Sequence, residues 1–405
     1  MIRLALVSFA ACAHAMPPSS MTAFVDATVV TGGTATPHRT VVVDGDRIVA
    51  VGGPVPDGAR VVSASGKFLV PGFADMHVHL PESQEDIDRV LDLSLACGVT
   101  TIRGMQGKPS HLVARARHRI APDLVLAGPP VTEALTPEQA RSLVRDQKAA
   151  GYDLIKILGG IDRPAYDAIV AEAAAQHIPV VGHVPTEIGL AAALAAKQRT
   201  IEHVQGYARD DDGQLADQAR QTRAARIWNC PTLDFYAVAL GPHDHLADRD
   251  GIADYATADD RATWDKALAD RPTPADGAER LAKVMHVVAA LRDAGAPLLV
   301  GSDTPDTYAL PGFGYLEELR ALARAGVTPS EILRAATENA AASLDRPHDG
   351  KIAPGARADL VLLDRDPLAT VDNLAHPAGV MVRGHWLSRA DLDALLAAHR
   401  THSTR

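Results

Sequence analysis

Disulfide chemistry is nearly absent from this chain: its 405 residues include only three cysteines, Cys12, Cys97 and Cys230, too few for a cross-linked framework. Cys97 and Cys230 lie in apolar surroundings, where a free thiol behaves as a small hydrophobe. An excess of positive charge is missing as well. Lys and Arg number 40 against 50 Asp and Glu, a formal net charge of -10, and the basic residues are scattered. That leaves no broad surface for a nucleic-acid backbone. No apolar run reaches the ~20 residues that a membrane-spanning helix needs. What is present is 47% hydrophobic content, enough for one large ordered domain or a barrel with an accessory module.

The first residues, "MIRLALVSFAACAHAMPPSS", place Arg3 before an apolar stretch from Leu4 to Ala11, with Ala13 and Ala15 in an A-x-A pattern. This predicts an export signal over residues 1–15, cleaved after Ala15, and a periplasmic or secreted protein. The alternative is a cytoplasmic protein starting at Met16 or Met21. Cys12 raises a lipid-anchored variant, but "SFAAC" lacks the usual leucine.

Beyond the leader, "FVDATVVTGG" and "TVVVDGDRIVAVGG" alternate β-branched residues with turn formers, and Asp44-Gly45 predicts a hairpin turn. The same texture returns in "GKIAPGARADLVLLDRDPL" and "GVMVRGHWL". The two ends together predict a small β-sandwich from residues 22–70 and 346–390, followed by a tail over 391–405. Between them, over 71–345, eight short apolar segments alternate with helical stretches. "TPEQARSLVRDQKAAG" opens with Thr136 as N-cap and Pro137 in the first turn, and Ile169, Val170, Ala173 and Ala174 form a helix-period stripe. No Gly-rich phosphate loop opens the first helix. The pattern therefore predicts an α/β fold of the (β/α)8 TIM-barrel type rather than an open doubly wound sheet. The longest interruption, 236–281, reads as a partly helical candidate lid.

Barrel enzymes place their chemistry at the C-terminal ends of the strands. There the first segment carries His77 and His79, the fourth Lys156, the fifth His183, the sixth His203 and the eighth Asp303. Period-two alternation puts His77 and His79 on one face. Each residue alone has an ordinary explanation, a core histidine or a turn cap, and the second H-x-H, His243-Asp244-His245, sits in a charged loop and reads as surface. Five separate strands all ending in metal-ligand types is a conjunction those explanations do not cover. Lys156 sharpens the point, because an unpaired ammonium inside an apolar strand costs several kcal/mol. It must reach solvent, find a partner, lose its charge or be modified. Two divalent ions held by the surrounding histidines would repel each other unless an anion lay between them, and a lysine carbamate supplies such an anion.

At this point the chain resembles a known family. "PGFADMHVHL", the strand lysine, two strand-end histidines, "GSD", and "AATENAAASL" leading into "GKIAPGARADLVLLDRDPL" are similar to the amidohydrolase superfamily, in its binuclear form with a carboxylated lysine. The imidazolonepropionase-like and prolidase-like hydrolases are the nearest branch. The resemblance implies that His77, His79 and Asp303 hold the more buried metal and His183 and His203 the more exposed one, with carboxylated Lys156 bridging. It implies zinc first, with manganese or cobalt fitting a similar shell. It also implies a metal-bridging hydroxide that attacks the scissile carbonyl, while Asp303 serves as general base and then acid. Amide hydrolysis of a dipeptide or an N-acyl amino acid is the expectation, with lactone, ester or phosphotriester hydrolysis and a non-catalytic binding protein as alternatives. Deaminases of this type place a glutamate three residues after the fifth-strand histidine, where this chain has Thr186. Arg103 is the expected carboxylate anchor, and Tyr207, Trp228 and Tyr236 the expected pocket aromatics.

Overall fold

The computed structural model describes residues 21–117 and 119–401. The leader expected at 1–15, with Cys12 and the alternative start at Met16, lies outside the described residues. Among the described residues no helix is long and apolar enough to cross a membrane.

Both ends of the chain feed a single eight-stranded sheet. Strands Met21–Thr31, Thr34–Asp44 and Arg47–Val51 pair antiparallel in succession. Leu360–Leu363 pairs antiparallel with Phe68–Pro71, placing Leu362 opposite Leu69. The alternation seen in the sequence explains the pairing: Val41 and Val43, like Leu360 and Leu362, point to the same face and are buried with Phe24, Ile48 and Met381. The hairpin turn falls on Gly45-Asp46, one residue later than expected, because Asp44 is still paired with Arg47.

The middle of the chain is a TIM-barrel-like α/β structure. Its first seven strands are Phe73–Val78, Val99–Gly104, Asp123–Leu126, Ile155–Ile157, Val180–Gly182, Thr200–Glu202 and Trp228–Cys230. Parallel ladders join the first three and the last four, and bridges Ala127–Leu154 and Val131–Ile157 link the two groups. The expected eighth strand, residues 296–303, is less regular, and its bridges fall within 297–304. It bridges Leu298 to Asn229 and Thr304 to Val78. The Met76 N–H donates to Val300 O and the Asp303 N–H to His77 O, each at 2.8 Å. Gly301 lets this segment run close: a Cβ there would lie 2.4 Å from Cys230 Sγ and 2.8 Å from His77 Cβ.

The helices between strands begin where the caps predict. In Pro137–Ala150 the Thr136 side chain accepts from the Gln139 N–H, and the Gln139 side chain in turn accepts from the Thr136 N–H. The 236–281 insertion contains the end of helix Leu233–Leu240, then Ile252–Tyr255 and Ala258–Asp270, before Gly277–Ala294 begins. Ile252, Tyr255 and Trp264 pack with Leu93, Leu310 and Phe313, so the insertion forms a helical wall against the 84–96 helix and the loop after the eighth segment. Part of the expected tail is also a helix, Arg389–Ala398, held by buried Leu392 and by His399 Nε2, which lies 2.9 Å from Asp92 Oδ2.

Candidate active site

His77, His79, Lys156, His183, His203 and Asp303 meet at one cleft of about 250 Å³ at the C-terminal ends of the strands. The rings of His77 and His79 are 5.2 Å apart between centroids, those of His77 and His203 4.8 Å, and those of His183 and His203 4.8 Å. Asp303 Oδ1 stands 2.8 Å from His79 Nε2 and 3.3 Å from His77 Nε2, and these three side chains form a group that could hold a metal ion. Two of the site's backbones are unusual. His203 and Asp303 have φ of 58° and 62°, the left-handed region that non-glycine residues seldom occupy and that clusters at functional sites.

Partners behind the rings fix which nitrogen faces the cleft. His77 Nδ1 is 2.8 Å from Glu202 Oε2, and a carboxylate can only accept, so Nδ1 carries the proton and Nε2 a bare lone pair. His203 Nδ1 is 2.6 Å from Thr232 Oγ1, whose hydroxyl already donates to Pro231 O, so it too accepts from the imidazole. His79 Nδ1 lies 3.2 Å from Gln106 Oε1. Three histidines thus turn unprotonated Nε2 atoms inward, as metal-bound imidazoles do. His77 Nε2, Asp303 Oδ1 and Lys156 Nζ are buried there without a hydrogen-bond partner among the described residues. Lone pairs crowded around a carboxylate repel unless a cation lies among them, so this donor set fits a divalent metal.

Burial lowers His77 to about 4 and His183 to about 3, and holds His203 well below its usual value. Burial works to raise Asp303, but His77, His79 and His203 hold it far below the usual carboxylate range. Lys156 is 1% exposed, so it does not reach solvent. Burial lowers it to about 8, against the pull of Glu202 and Asp303, which makes the neutral amine readily accessible. Its arm passes Gly182, where a Cβ would lie 2.9 Å from Lys156 Cδ and 2.2 Å from Ile157 O.

The expected substrate contacts divide. Tyr236 lines the cleft. Arg103 does not: it is 1% exposed, donating to Met76 O, to Thr200 Oγ1 at 3.1 Å and to Glu202 Oε1 at 2.8 Å, so its charge is fully engaged below the site. Tyr207 is buried with its hydroxyl on Thr222 and Asn229. Trp228 opens its strand, at the opposite end from the histidines, and packs against the cluster of Ala74, Met76, Cys230, Leu299 and Ala340. Sequence reasoning missed Glu202, Gln106 and Thr232, which orient the rings, and Leu158, Gln205 and Phe235, which line the cleft. The signal for Glu202 was present: an arginine inside one barrel strand calls for a carboxylate inside another. A second ligand-type group, His77 with Glu202 and Cys230, is already satisfied, since Glu202 serves His77, Arg103 and Thr200. Cys97 and Cys230 are buried free thiols, and His243 turns Nε2 to Val238 O at the surface loop.

Comparison with known proteins agrees with this geometry. The chain is 30% identical over 384 residues to the imidazolonepropionase of Streptomyces griseus subsp. griseus, covering 86% of this chain and 90% of the relative. It is 28% identical over 263 residues to the ochratoxinase of Aspergillus niger, covering 60% of this chain and 47% of that protein, so the match spans about half that relative's length. The structure resembles a putative prolidase from Bifidobacterium longum with a TM-score of 0.75 and 27% identity, covering 95% of this chain and all (100%) of the other. The family model described as "Amidohydrolase family" matches residues 68–387, which span the histidines, Lys156 and Asp303 alike, and the chain accordingly belongs to the amidohydrolase family of hydrolases.

Proposed function

We propose that the chain is a binuclear metal-dependent hydrolase of amide bonds in dipeptides or N-acyl amino acids. The observation that carries this reading is the convergence of buried, unpartnered acceptor atoms and a buried amine on one cleft. His77, His79 and Asp303 would hold one divalent cation and His183 and His203 a second, with carboxylated Lys156 reaching both. Zinc suits this imidazole and oxygen set, and manganese or cobalt would also fit. Such a pair supplies Lewis acidity toward a water and a carbonyl oxygen.

The chain's own groups do the rest. The neutral Lys156 amine adds to carbon dioxide and releases a proton, which exchanges an unpaired buried amine for an anion among histidines. Glu202, Gln106 and Thr232 keep the imidazole lone pairs inward. The Asp303 carboxylate, ionised at neutral pH, takes the proton of the attacking water and delivers it to the leaving nitrogen. The same reading takes the seven strands and segment 297–304 as a closed eight-stranded barrel, supported by the bridges of Leu298 to Asn229 and Thr304 to Val78. It takes the terminal sheet as a sandwich.

A kinetic panel of matched amide, ester and phosphotriester substrates on metal-loaded protein tests the reaction class. Turnover of Xaa-Xaa dipeptides or N-acyl amino acids is the expected result. Activity confined to esters, lactones or phosphotriesters would overturn the amide assignment.

A further inference from the structure

With Arg103 buried beneath the site, no arginine is left in the cleft lining, yet one stands at its edge. The Arg209 guanidinium carbon lies 5.7 Å from the centre of the Tyr236 ring, and one of its nitrogens is 3.4 Å from Tyr236 Oη. That ring is held in place: its hydroxyl donates to His203 O at 2.8 Å, and Phe235 meets it edge-on at 5.4 Å. Arg209 is therefore connected to the backbone of His203 through a single aromatic residue.

What Arg209 lacks is equally informative. Other half-buried arginines here have carboxylates, Arg199 on Asp345 and Arg357 on Asp123 among them, or backbone carbonyls, as Arg261 on Ile252 O and Arg383 on Ala121 O. Arg209 has no carboxylate among the described residues. The acids next to it in sequence are occupied, Asp210 by Lys283 at 2.8 Å and Asp211 by capping helix Asp212–Ala225. A half-buried guanidinium on an aromatic face, without a carboxylate, offers a planar fork that matches a carboxylate ligand. The cleft lining also carries apolar surface. Leu158, just past the Lys156 strand, is 37% exposed, and the half-buried Phe235 ring is 5.9 Å from that of His203.

We infer that the substrate is an N-acyl or peptidyl amino acid whose free carboxylate meets Arg209 and whose large apolar side chain lies against Leu158 and Phe235. This places the scissile amide between Arg209 and the histidines and rests on the amide-hydrolase reading for that bond. The anchor has a different position from the one the sequence suggested.

The test is a binding measurement that needs no turnover. Calorimetry compares 3-phenylpropanoate with 4-phenylbutan-2-one, a neutral ligand of the same shape, on the full chain and on Arg209→Met and Arg209→Lys. Wild type should prefer the carboxylate by about tenfold or more, the scale of a charge-assisted hydrogen bond. The preference should vanish in Arg209→Met and survive only in part in Arg209→Lys, which keeps the charge but loses the fork. Equal binding of the two ligands, binding of neither, or a preference unchanged in Arg209→Met would each overturn the inference. Hydrolysis of the amide panel is read separately. Carboxylate binding through Arg209 without amide cleavage would bring down the reaction assignment and leave the anchor standing.

Discussion

Two buried basic side chains in adjoining layers of the TIM-barrel-like core, Arg103 and Lys156, are each 1% exposed. Below the cleft, Arg103 donates to Met76 O, Thr200 and Glu202, and Glu202 in turn holds His77. At the cleft, Lys156 Nζ has no hydrogen-bond partner among the described residues. The lower layer is satisfied and therefore structural. The upper layer is unsatisfied, with lone pairs and an amine turned toward a common space, and such a cluster persists only when something else completes it.

The contrast can be broken most sharply at Asp303. Asp303→Asn should retain most of the metal and lower kcat by about 10²- to 10⁴-fold, the range of a lost general acid–base group. Substantial turnover in that variant would remove Asp303 from proton transfer. Next come the two basic side chains themselves. Arg103→Met leaves Glu202 buried without its ion-pair partner and should destabilise the fold by about 3–5 kcal/mol. Lys156→Met removes an unpaired amine and should leave the metal-free protein as stable or more so. Chemical denaturation of the two variants checks this, and equal losses would erase the distinction between the layers. Thr232→Val deprives His203 of its orienting acceptor and should weaken metal binding by about tenfold or more in a chelator competition, with the fold unchanged.

The smallest effect expected is that of acid on metal-free protein. His77 and His183 stand at about 4 and about 3 when folded, against an ordinary 6.5. At these two rings the unfolded chain therefore binds more protons below pH 6.5, and their contribution to stability falls as the pH drops from there toward 4. Asp75 opposes this. Burial raises it from 3.8 to about 7 against its bonds from Ser302, so its contribution is present at low pH and is lost as the pH rises through 7. Burial raises Asp234, Asp306, Glu318 and Asp359 too and lowers His111 and His203, so the share of a ring is read by difference: removing one in His183→Gln should make the melting temperature at pH 4.5, relative to that at pH 6.5, higher than in wild type. The same pH dependence in His183→Gln as in wild type would contradict the burial of that ring as a neutral species.

The strand-end histidines were legible because each follows a short apolar run, and Lys156 because it interrupts one. The shared β texture of the two chain ends was legible, but not that they pair or in which register. Arg103 was misread because its partner Glu202 lies 99 residues away, and whether a strand-end arginine faces ligand or core depends on that partner alone. Thr232 and Gln106 were invisible for a related reason: a threonine or glutamine in a loop acquires meaning only when the fold carries it to a ring nitrogen. The irregular eighth segment reads as an ordinary strand until Gly301 is seen against Cys230 and His77.

The central claim, that Lys156 completes a metal pair, is tested most directly by elemental analysis of wild type and Lys156→Met, both purified without chelator and with bicarbonate present. The account predicts about two ions per wild-type chain, as a two-metal hydrolase requires, and about one or fewer in the variant. A wild-type chain that holds one ion or none even after metal is supplied, or a Lys156→Met chain that keeps the full pair, would contradict it.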